Sequence, residues 1–339
     1  MSKGNRKIQN IADRILEDSP DPAIQVRLLR DILGKNRDNT ELIEAESRLD
    51  ENKWVQIIRN DQWKDGSWGR FHTEDTTLKQ KVPTTEVGVS RSINLGLNNT
   101  HPIIQKVTKY IVGILDNSIK PRDVVPKGIA LNAWEHFINK IVASSLTEIN
   151  PNHPILNDYF DIWSRIIQES FPNNSYEAQN QISAFLEILE INYDEFSTRF
   201  KKRIKEGKEL TINDVYTVNL IGSQIHKLNP ELEKAFFRRV WNLGIGYLNV
   251  DLRSSPSGLV GTNTFTRWLR SLELLKPYPS WKSHVEEIFE WFWDNQTKHG
   301  LWDFGKVPLT NRSIRLSSSW RKPNARIHDW TTRILLILK

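Results

Sequence analysis

The 339-residue chain contains no cysteine, which excludes a disulfide scaffold, a thiolate zinc site and a cysteine nucleophile. No apolar run approaches the ~20 residues needed to span a bilayer. Hydrophobic alternation of period two is scarce and no hairpin signal stands out, so a sheet is not expected. The first residues, Met1-Ser2-Lys3-Gly4-Asn5-Arg6-Lys7, are polar, and no signal peptide is visible. A cytoplasmic protein is therefore the expectation, with peripheral membrane contact if its substrate is a lipid. Hydrophobic residues at 38% and charged residues at 26% fit a globular domain. A net charge of +6 is mild over this length and hints at anionic partners, but not at nucleic acid. The basic run Arg199–Lys205 reads as the wet face of a helix. The oligomeric state is not legible. Thirteen tryptophans are the most unusual holding, and they fit core staples, cation stabilisation or sugar stacking.

Apolar spacing is helical nearly throughout. Ile8, Ile11, Ala12 and Ile15 mark one helix face. Pro20 and Pro22 interrupt it, and a second helix carrying Ile24, Val26, Leu28, Leu29 and Ile32 ends near Gly34. Six low-charge segments follow: 87–97, 129–142, 182–191, 215–225, 265–275 and 331–338. They alternate with six amphipathic ones: 42–59, 102–117, 154–170, 193–208, 230–249 and 281–295. Pro83, Ser175, Thr211, Thr262 and Asn263 are the expected caps or first-turn residues of the low-charge set. Paired helices recurring every ~35 to 65 residues imply stacked supersecondary units. The expected fold is all-α, an (α/α)6 toroid of six helical hairpins over residues 39–339, with residues 1–38 as a helical extension packed on it. An open solenoid or two small bundles are the alternatives.

Two loops repeat each other. Gln62, Gly66 and Trp68 have the same spacing as Gln296, Gly300 and Trp302, each set following an aromatic helix end. The glycine permits a tight backbone, the glutamine amide ties helix-terminal groups, and the tryptophan covers the junction. A degenerate third copy runs from Gly246-Tyr247-Leu248 to Ser257-Gly258-Leu259. This Gln-x3-Gly-x-Trp loop resembles the QW motif of the squalene-hopene and oxidosqualene cyclase family and of the related protein prenyltransferase β subunits. The resemblance covers the chain from about residue 40 and implies an α/α toroid that binds an isoprenoid, or an isoprenoid diphosphate, in a central apolar cavity for cyclisation or prenyl transfer. It also implies that the six loop residues are structural.

The catalytic signatures of that superfamily are missing. There is no D-x-D-D, and Pro83-Thr84-Thr85-Glu86 keeps one carboxylate near its place. Asn157-Asp158-Tyr159-Phe160-Asp161 and Asn213-Asp214-Val215-Tyr216-Thr217 only loosely mimic magnesium-binding motifs, so Mg2+ is a weak expectation, and no metal or other cofactor is assigned. In a ring of helices the starts of the inner ones converge on one mouth, where dipoles and free N–H groups favour anions. Glu86, Asp214, His328 and Asp329 are the candidate acids or bases. Arg91, Arg267, Arg312, Arg315 and Arg333 are the candidate anion contacts, Arg312 and Arg315 lying in a basic loop of ~24 residues before the last helix. A carbohydrate-active α/α enzyme gripping an acidic saccharide, and an inactive scaffold, are the competing readings. A closed, deep pocket of aromatic and aliphatic side chains would favour isoprenoids, an open polar groove saccharides, and a filled centre a scaffold.

Overall fold

A computed structural model describes residues 3–307, 315–322 and 324–339. Among these residues the chain is all-helical, with fifteen α-helices and no strand. In α1 (Lys3–Glu17) the predicted stripe Ile8, Ile11, Ala12 and Ile15 is buried. Pro22 opens α2 (Pro22–Val26), and the Asp21 side chain caps it by accepting the Ala23 N–H. The chain widens into a π-helical turn, Arg27–Ile32, and leaves it through Gly34 at φ +68°. α3 (Thr40–Ser47) is capped by Asn39 and packs on α2.

Six helix pairs follow. They are α4 (Lys53–Asp61) with α5 (Thr85–Asn94), α6 (Pro102–Leu115) with α7 (Leu131–Ile149), and α8 (Leu156–Ser170) with α9 (Ala178–Ile188). Then come α10 (Thr198–Lys205) with α11 (Val215–Ser223), α12 (Pro230–Leu243) with α13 (Asn263–Leu275), and α14 (Glu286–Asp294) with α15 (Ala325–Leu338). The second helix of each pair matches a predicted low-charge segment, and α5, α11, α13 and α15 are buried over most of their length. α7 packs against α5, α6, α8 and α11, and α11 packs against α13. α9 packs chiefly on α8. The N-terminal segment is packed on this array: α1, α2 and the π-helical turn all contact α15.

Helix starts differ locally from the sequence expectation. Thr84 rather than Pro83 caps α5, and Asp214 rather than Thr211 caps α11. Thr262 does cap α13, with Asn263 in its first turn. Ser175 stands outside α9, and α15 begins at Ala325, so His328 and Asp329 lie a full turn into the helix.

The two Gln–Gly–Trp loops are the same object atom for atom. The indole N–H of Trp68 donates to the Ile58 carbonyl at 2.8 Å, and that of Trp302 donates to the Phe292 carbonyl at 2.6 Å. Both carbonyls sit near the end of the helix that precedes the loop. The backbone N–H of Trp68 donates to the Thr85 hydroxyl and that of Trp302 to the Thr331 hydroxyl, each at 3.0 Å, which ties the loop to the next helix. Gln62 Nε2 donates to the Gly66 carbonyl and Gln296 Nε2 to the Gly300 carbonyl. Gln62 also reaches the Ile103 carbonyl at 2.9 Å, so the first loop grips the following pair as well. Both tryptophans are fully buried. The segment around Gly246 lacks this arrangement: it makes an isolated bridge to Asp214, and Tyr247 turns toward Tyr216 instead.

Gly66 has no substitute. Its φ is +93°, and a Cβ there would lie 2.3 Å from the Lys106 carbonyl oxygen. Gly66→Ala is expected to lower stability by more than ~2 kcal/mol, through strain and clash together. Trp302→Phe removes one of the two donors to the buried Phe292 carbonyl, which keeps the Asn295 N–H, and should cost about 1 kcal/mol. Urea unfolding monitored by circular dichroism reads both, and unchanged midpoints would remove the clasp from its structural role.

Candidate functional site

A cavity of about 820 Å³ opens between the paired helices. Its wall is drawn from α5, α7, α11, α13 and α15, together with Arg27 of the π-helical turn and the loop that carries Arg315 and Trp320. α9 contributes nothing to it. Both the starts and the ends of helices line the space: Glu86 and Asn94 from α5, Asn263 and Glu273 from α13. At 1.5 Å per residue the cavity therefore runs along the helices for about 12 Å or more.

The lining bears on the sequence expectation. The resemblance implied an apolar chamber, and the wall is mixed: polar and charged side chains are the more numerous, while aliphatic side chains and the rings of Tyr216, Tyr247, Trp320 and Trp330 supply the larger part of its surface. The reason is geometric. Each buried helix turns its aliphatic residues toward neighbouring helices and leaves a narrow polar stripe for the centre, as Ser144, Ser145 and Glu148 do on α7.

One part of the wall carries an ion network. Arg270 Nη2 lies 2.6 Å from Glu148, and Arg270 also reaches Glu273 at 3.5 Å. Arg333 Nε meets Glu273 at 2.9 Å and donates to the Thr266 carbonyl. Burial works against the Arg270 charge, but Glu148 and Glu273 overcome it and raise its pKa above the usual value. Burial likewise works against the Glu273 carboxylate, and Arg333 and Arg270 hold its pKa below the usual range. Arg27 donates to the Ile93 carbonyl and so joins the π-helical turn to the end of α5. Lys276 donates to the Leu336 carbonyl, which joins α13 to α15.

At the end formed by the starts of α5 and α11, three polar side chains meet. His72 Nδ1 lies 2.9 Å from Glu86 Oε2. The Tyr216 hydroxyl donates to Glu86 Oε2 at 3.0 Å and lies 3.3 Å from His72 Nδ1. Phe137 packs edge-on against both His72 and Tyr216 and walls the trio on one side. The His72 loop is held by Asp123, whose carboxylate accepts the backbone N–H groups of Phe71, His72 and Thr73. On the cavity wall, Arg315 stacks over Trp320, with its guanidinium carbon 4.3 Å from the ring centre. Its Nε is buried without a hydrogen-bond partner among the described residues. Arg267 meets only the Thr264 hydroxyl, at 3.2 Å. The ion pairs among the described residues include neither arginine.

The predicted candidates therefore separate. Glu86, Arg267, Arg315, Asp329 and Arg333 all line the cavity. Asp214 does not. Its carboxylate accepts the Tyr216 and Thr217 N–H groups as the α11 cap and pairs with buried Lys140 at 2.7 Å, which anchors α11 to α7. His328 is not on the cavity wall; its Nε2 lies 3.0 Å from Asp18, just past the end of α1, so it pins the N-terminal segment. Arg91 donates to the Lys81 carbonyl outside the cavity wall. Arg312 lies outside the described residues. Asp329 is at the cavity but committed: it accepts the Leu316 and Ser317 N–H groups, the Ser317 hydroxyl and the Trp320 indole N–H. Burial pushes its pKa up to about 6, against the pull of those donors. It fixes the loop that presents Arg315 and Trp320. Asp158 and Asp161 sit exposed on α8, and no cluster of three metal-ligating side chains occurs among the described residues. No helix among them is long and apolar enough to cross a membrane.

His72 and Tyr216 escaped the sequence reading. Tyr216 was quoted only inside a loose metal motif, and His72 sits in a loop with no pattern of its own. Their one signal was place, each lying close in sequence to a helix start that feeds the cavity.

Truncating Lys140 to alanine should cost about 3–5 kcal/mol, because it strands a buried carboxylate. A Lys140→Met/Asp214→Asn double variant should recover much of that loss in denaturant unfolding, and failure to recover would argue that Asp214 does more than anchor. The pH dependence has a definite sign at His328. Burial lowers its pKa below the ordinary 6.5, with Asp18 opposing. As pH falls through the ordinary value, the unfolded chain takes up a proton that the folded ring resists, so stability drops on the acid side. His328→Gln should flatten the decline of melting temperature between about pH 7 and 5. No family model, curated protein or solved structure matches this chain.

Proposed function

We propose that the six helix pairs close into an (α/α)6 toroid and that its central cavity binds an acidic saccharide. In this reading the chain shares the clasped build of terpenoid cyclase-like proteins without sharing their ligand. Closure is supported by the helices that share one cavity: α5, α7, α11, α13 and α15 all reach it, and Arg27 spans from the α15 side to the end of α5. α9 is displaced outward, so the inner wall draws on five of the six pairs.

The observation that carries the ligand class is the pair Arg267 and Arg315, guanidinium groups on the cavity wall without a carboxylate partner among the described residues, set in a lining of hydroxyl and amide side chains. Two guanidinium forks match carboxylates or phosphates. The remaining polar wall offers what sugar hydroxyls need, and Trp320, Trp330 and Tyr247 offer ring faces for stacking. The same arginines would suit a diphosphate, which keeps an isoprenoid diphosphate as the second reading.

Isothermal titration calorimetry separates these readings. Oligogalacturonates and oligomannuronates are expected to bind, and neutral oligosaccharides of equal length to bind at least tenfold more weakly. Arg267→Ala and Arg315→Ala should each weaken the acidic ligands by about tenfold or more, the scale of a lost charge-assisted hydrogen bond. Binding of farnesyl or geranylgeranyl diphosphate without the uronates would replace this reading with the prenyl one. Silence toward both would leave the scaffold.

A further inference from the structure

Resting on the acidic-saccharide reading, we infer that ligand binding is proton-coupled: Asp329 takes up a proton as an anionic ligand seats on Arg315, so the cavity holds such ligands more tightly in mild acid than at neutral pH. The wall keeps its carboxylates in different ways. Glu148 and Glu273 are paired with Arg270 and Arg333. Asp329 is more deeply buried than either, only 5% exposed, and no ion pair among the described residues includes it. Its partners are neutral donors: the Leu316 and Ser317 N–H groups, the Ser317 hydroxyl and the Trp320 indole. A buried carboxylate without a cation favours its neutral form, and burial, with Asp21 adding a like charge, pushes the Asp329 pKa up to about 6. The other charged groups on the surrounding elements are engaged elsewhere. On α15, His328 faces Asp18, Arg326 pairs with Asp303 and Arg333 with Glu273. In the N-terminal segment Arg27 pairs with Asp31, and at the start of α4 Lys53 lies over the Trp54 ring. On α13 Arg267 meets the Thr264 hydroxyl, and in the loop Arg321 and Lys322 are exposed.

Trp320 joins this carboxylate to the anion contact. Its indole N–H donates to Asp329 Oδ2, and its face carries the Arg315 guanidinium, 4.3 Å from the ring centre. Two contacts through one ring place the carboxylate within about 10 Å of the guanidinium. An anion drawn to Arg315 therefore brings a like charge toward a buried carboxylate, where the field is weakly screened. Taking up a proton removes that repulsion. The proton has a ready place. The Ser317 hydroxyl donates to Asp329 Oδ1 and lies 3.2 Å from the Ala325 carbonyl. Once Asp329 is protonated, its O–H donates to Ser317 Oγ, and the serine proton turns to Ala325. The loop keeps its other moorings: Asn52 donates to the Leu316 carbonyl, Trp54 to the Ser317 carbonyl, and Asp21 accepts the Ser318 N–H. Protonation thus changes the charge of the wall and not its shape. The sign follows from reciprocity between the two ligands, proton and saccharide. Free Asp329 titrates at about 6 and bound Asp329 above that, so between the two values binding draws a proton from the buffer. Affinity rises as pH falls through the bound value and levels off below about 6. The ligand carboxylates, ordinarily titrating near or below about 4, stay ionised throughout.

The test titrates the full chain with oligogalacturonates in a calorimeter, in buffers of different ionisation enthalpy, between about pH 5.5 and about pH 7.5. The dependence of the observed heat on the buffer counts the protons exchanged. Net uptake is expected near about pH 6.5, with a dissociation constant at least about threefold lower at the acid end than at the alkaline end. Neutral oligosaccharides of equal length should bind without uptake. On the unsubstituted chain, infrared difference spectra should show a carboxylate becoming a carboxylic acid as the uronate is added. Asp329→Asn, neutral at every pH, should abolish the uptake and keep the acid-side affinity at neutral pH, and circular dichroism melts establish that it is folded. Uronate binding without uptake, an affinity that falls in acid, no new carboxylic acid in the infrared, or uptake that persists in folded Asp329→Asn each overturns the coupling and leaves the acidic-saccharide reading standing. Absence of binding at every pH removes both.

Discussion

A single kind of hydrogen bond organises this molecule: a buried indole N–H given to a carbonyl near the end of the preceding helix. Helix ends leave four carbonyls without intrahelical partners, and burying them unsatisfied is costly. Trp68 and Trp302 each satisfy one while filling the junction with a large flat ring. The same loop then offers its backbone N–H to a threonine on the next helix, so one residue fixes the relation between two helices from both sides. Without that constraint α4 would be free to slide against α5, and α14 against α15, and the polar stripes would no longer face a common space.

The polar cavity follows from how those helices are used. A helix packed on most of its circumference has only a narrow face left over, and any residue there that meets neither water nor an apolar neighbour must find charge or hydrogen-bond partners. In one part of the wall it finds them internally, in the Arg270–Glu148–Glu273–Arg333 network, which joins α7, α13 and α15. Elsewhere on the wall Arg267 and Arg315 have no carboxylate partner among the described residues. That asymmetry, one part neutralised and the other not, gives the wall two unlike regions.

Much of the fold was legible in the sequence because helical periodicity is a local property. The low-charge segments correspond to the second helices of the pairs, and the repeated Gln–Gly–Trp spacing named both clasps before their hydrogen bonds were known. The site was less legible because its contacts are not local. Asp214 reads as a catalytic acid until Lys140, 74 positions earlier in the chain, is seen beside it. His328 beside Asp329 reads as an acid–base pair, yet successive residues on a helix point about 100° apart, and the two side chains go to Asp18 and to the Ser317 loop respectively. The meeting of His72 with Tyr216 spans 144 positions and left no periodic trace. The polar lining was also invisible: one serine or asparagine per turn looks like noise in a helix whose other positions are apolar.

The loop that presents Arg315 and Trp320 has a consequence for how the molecule comes into being. It is moored to the far end of the sequence: Asp21 accepts the Ser318 N–H across 297 positions, and Asn52 and Trp54 donate to carbonyls of the same loop. During ribosomal synthesis the early helices emerge with an unfilled berth and must wait for nearly the whole polypeptide before it is occupied. Such distant closures are slow because chain entropy is spent long before the contacts are gained. The ligand chamber is therefore assembled late in folding, and the nascent protein passes through a stage in which its helices exist and its binding surface does not.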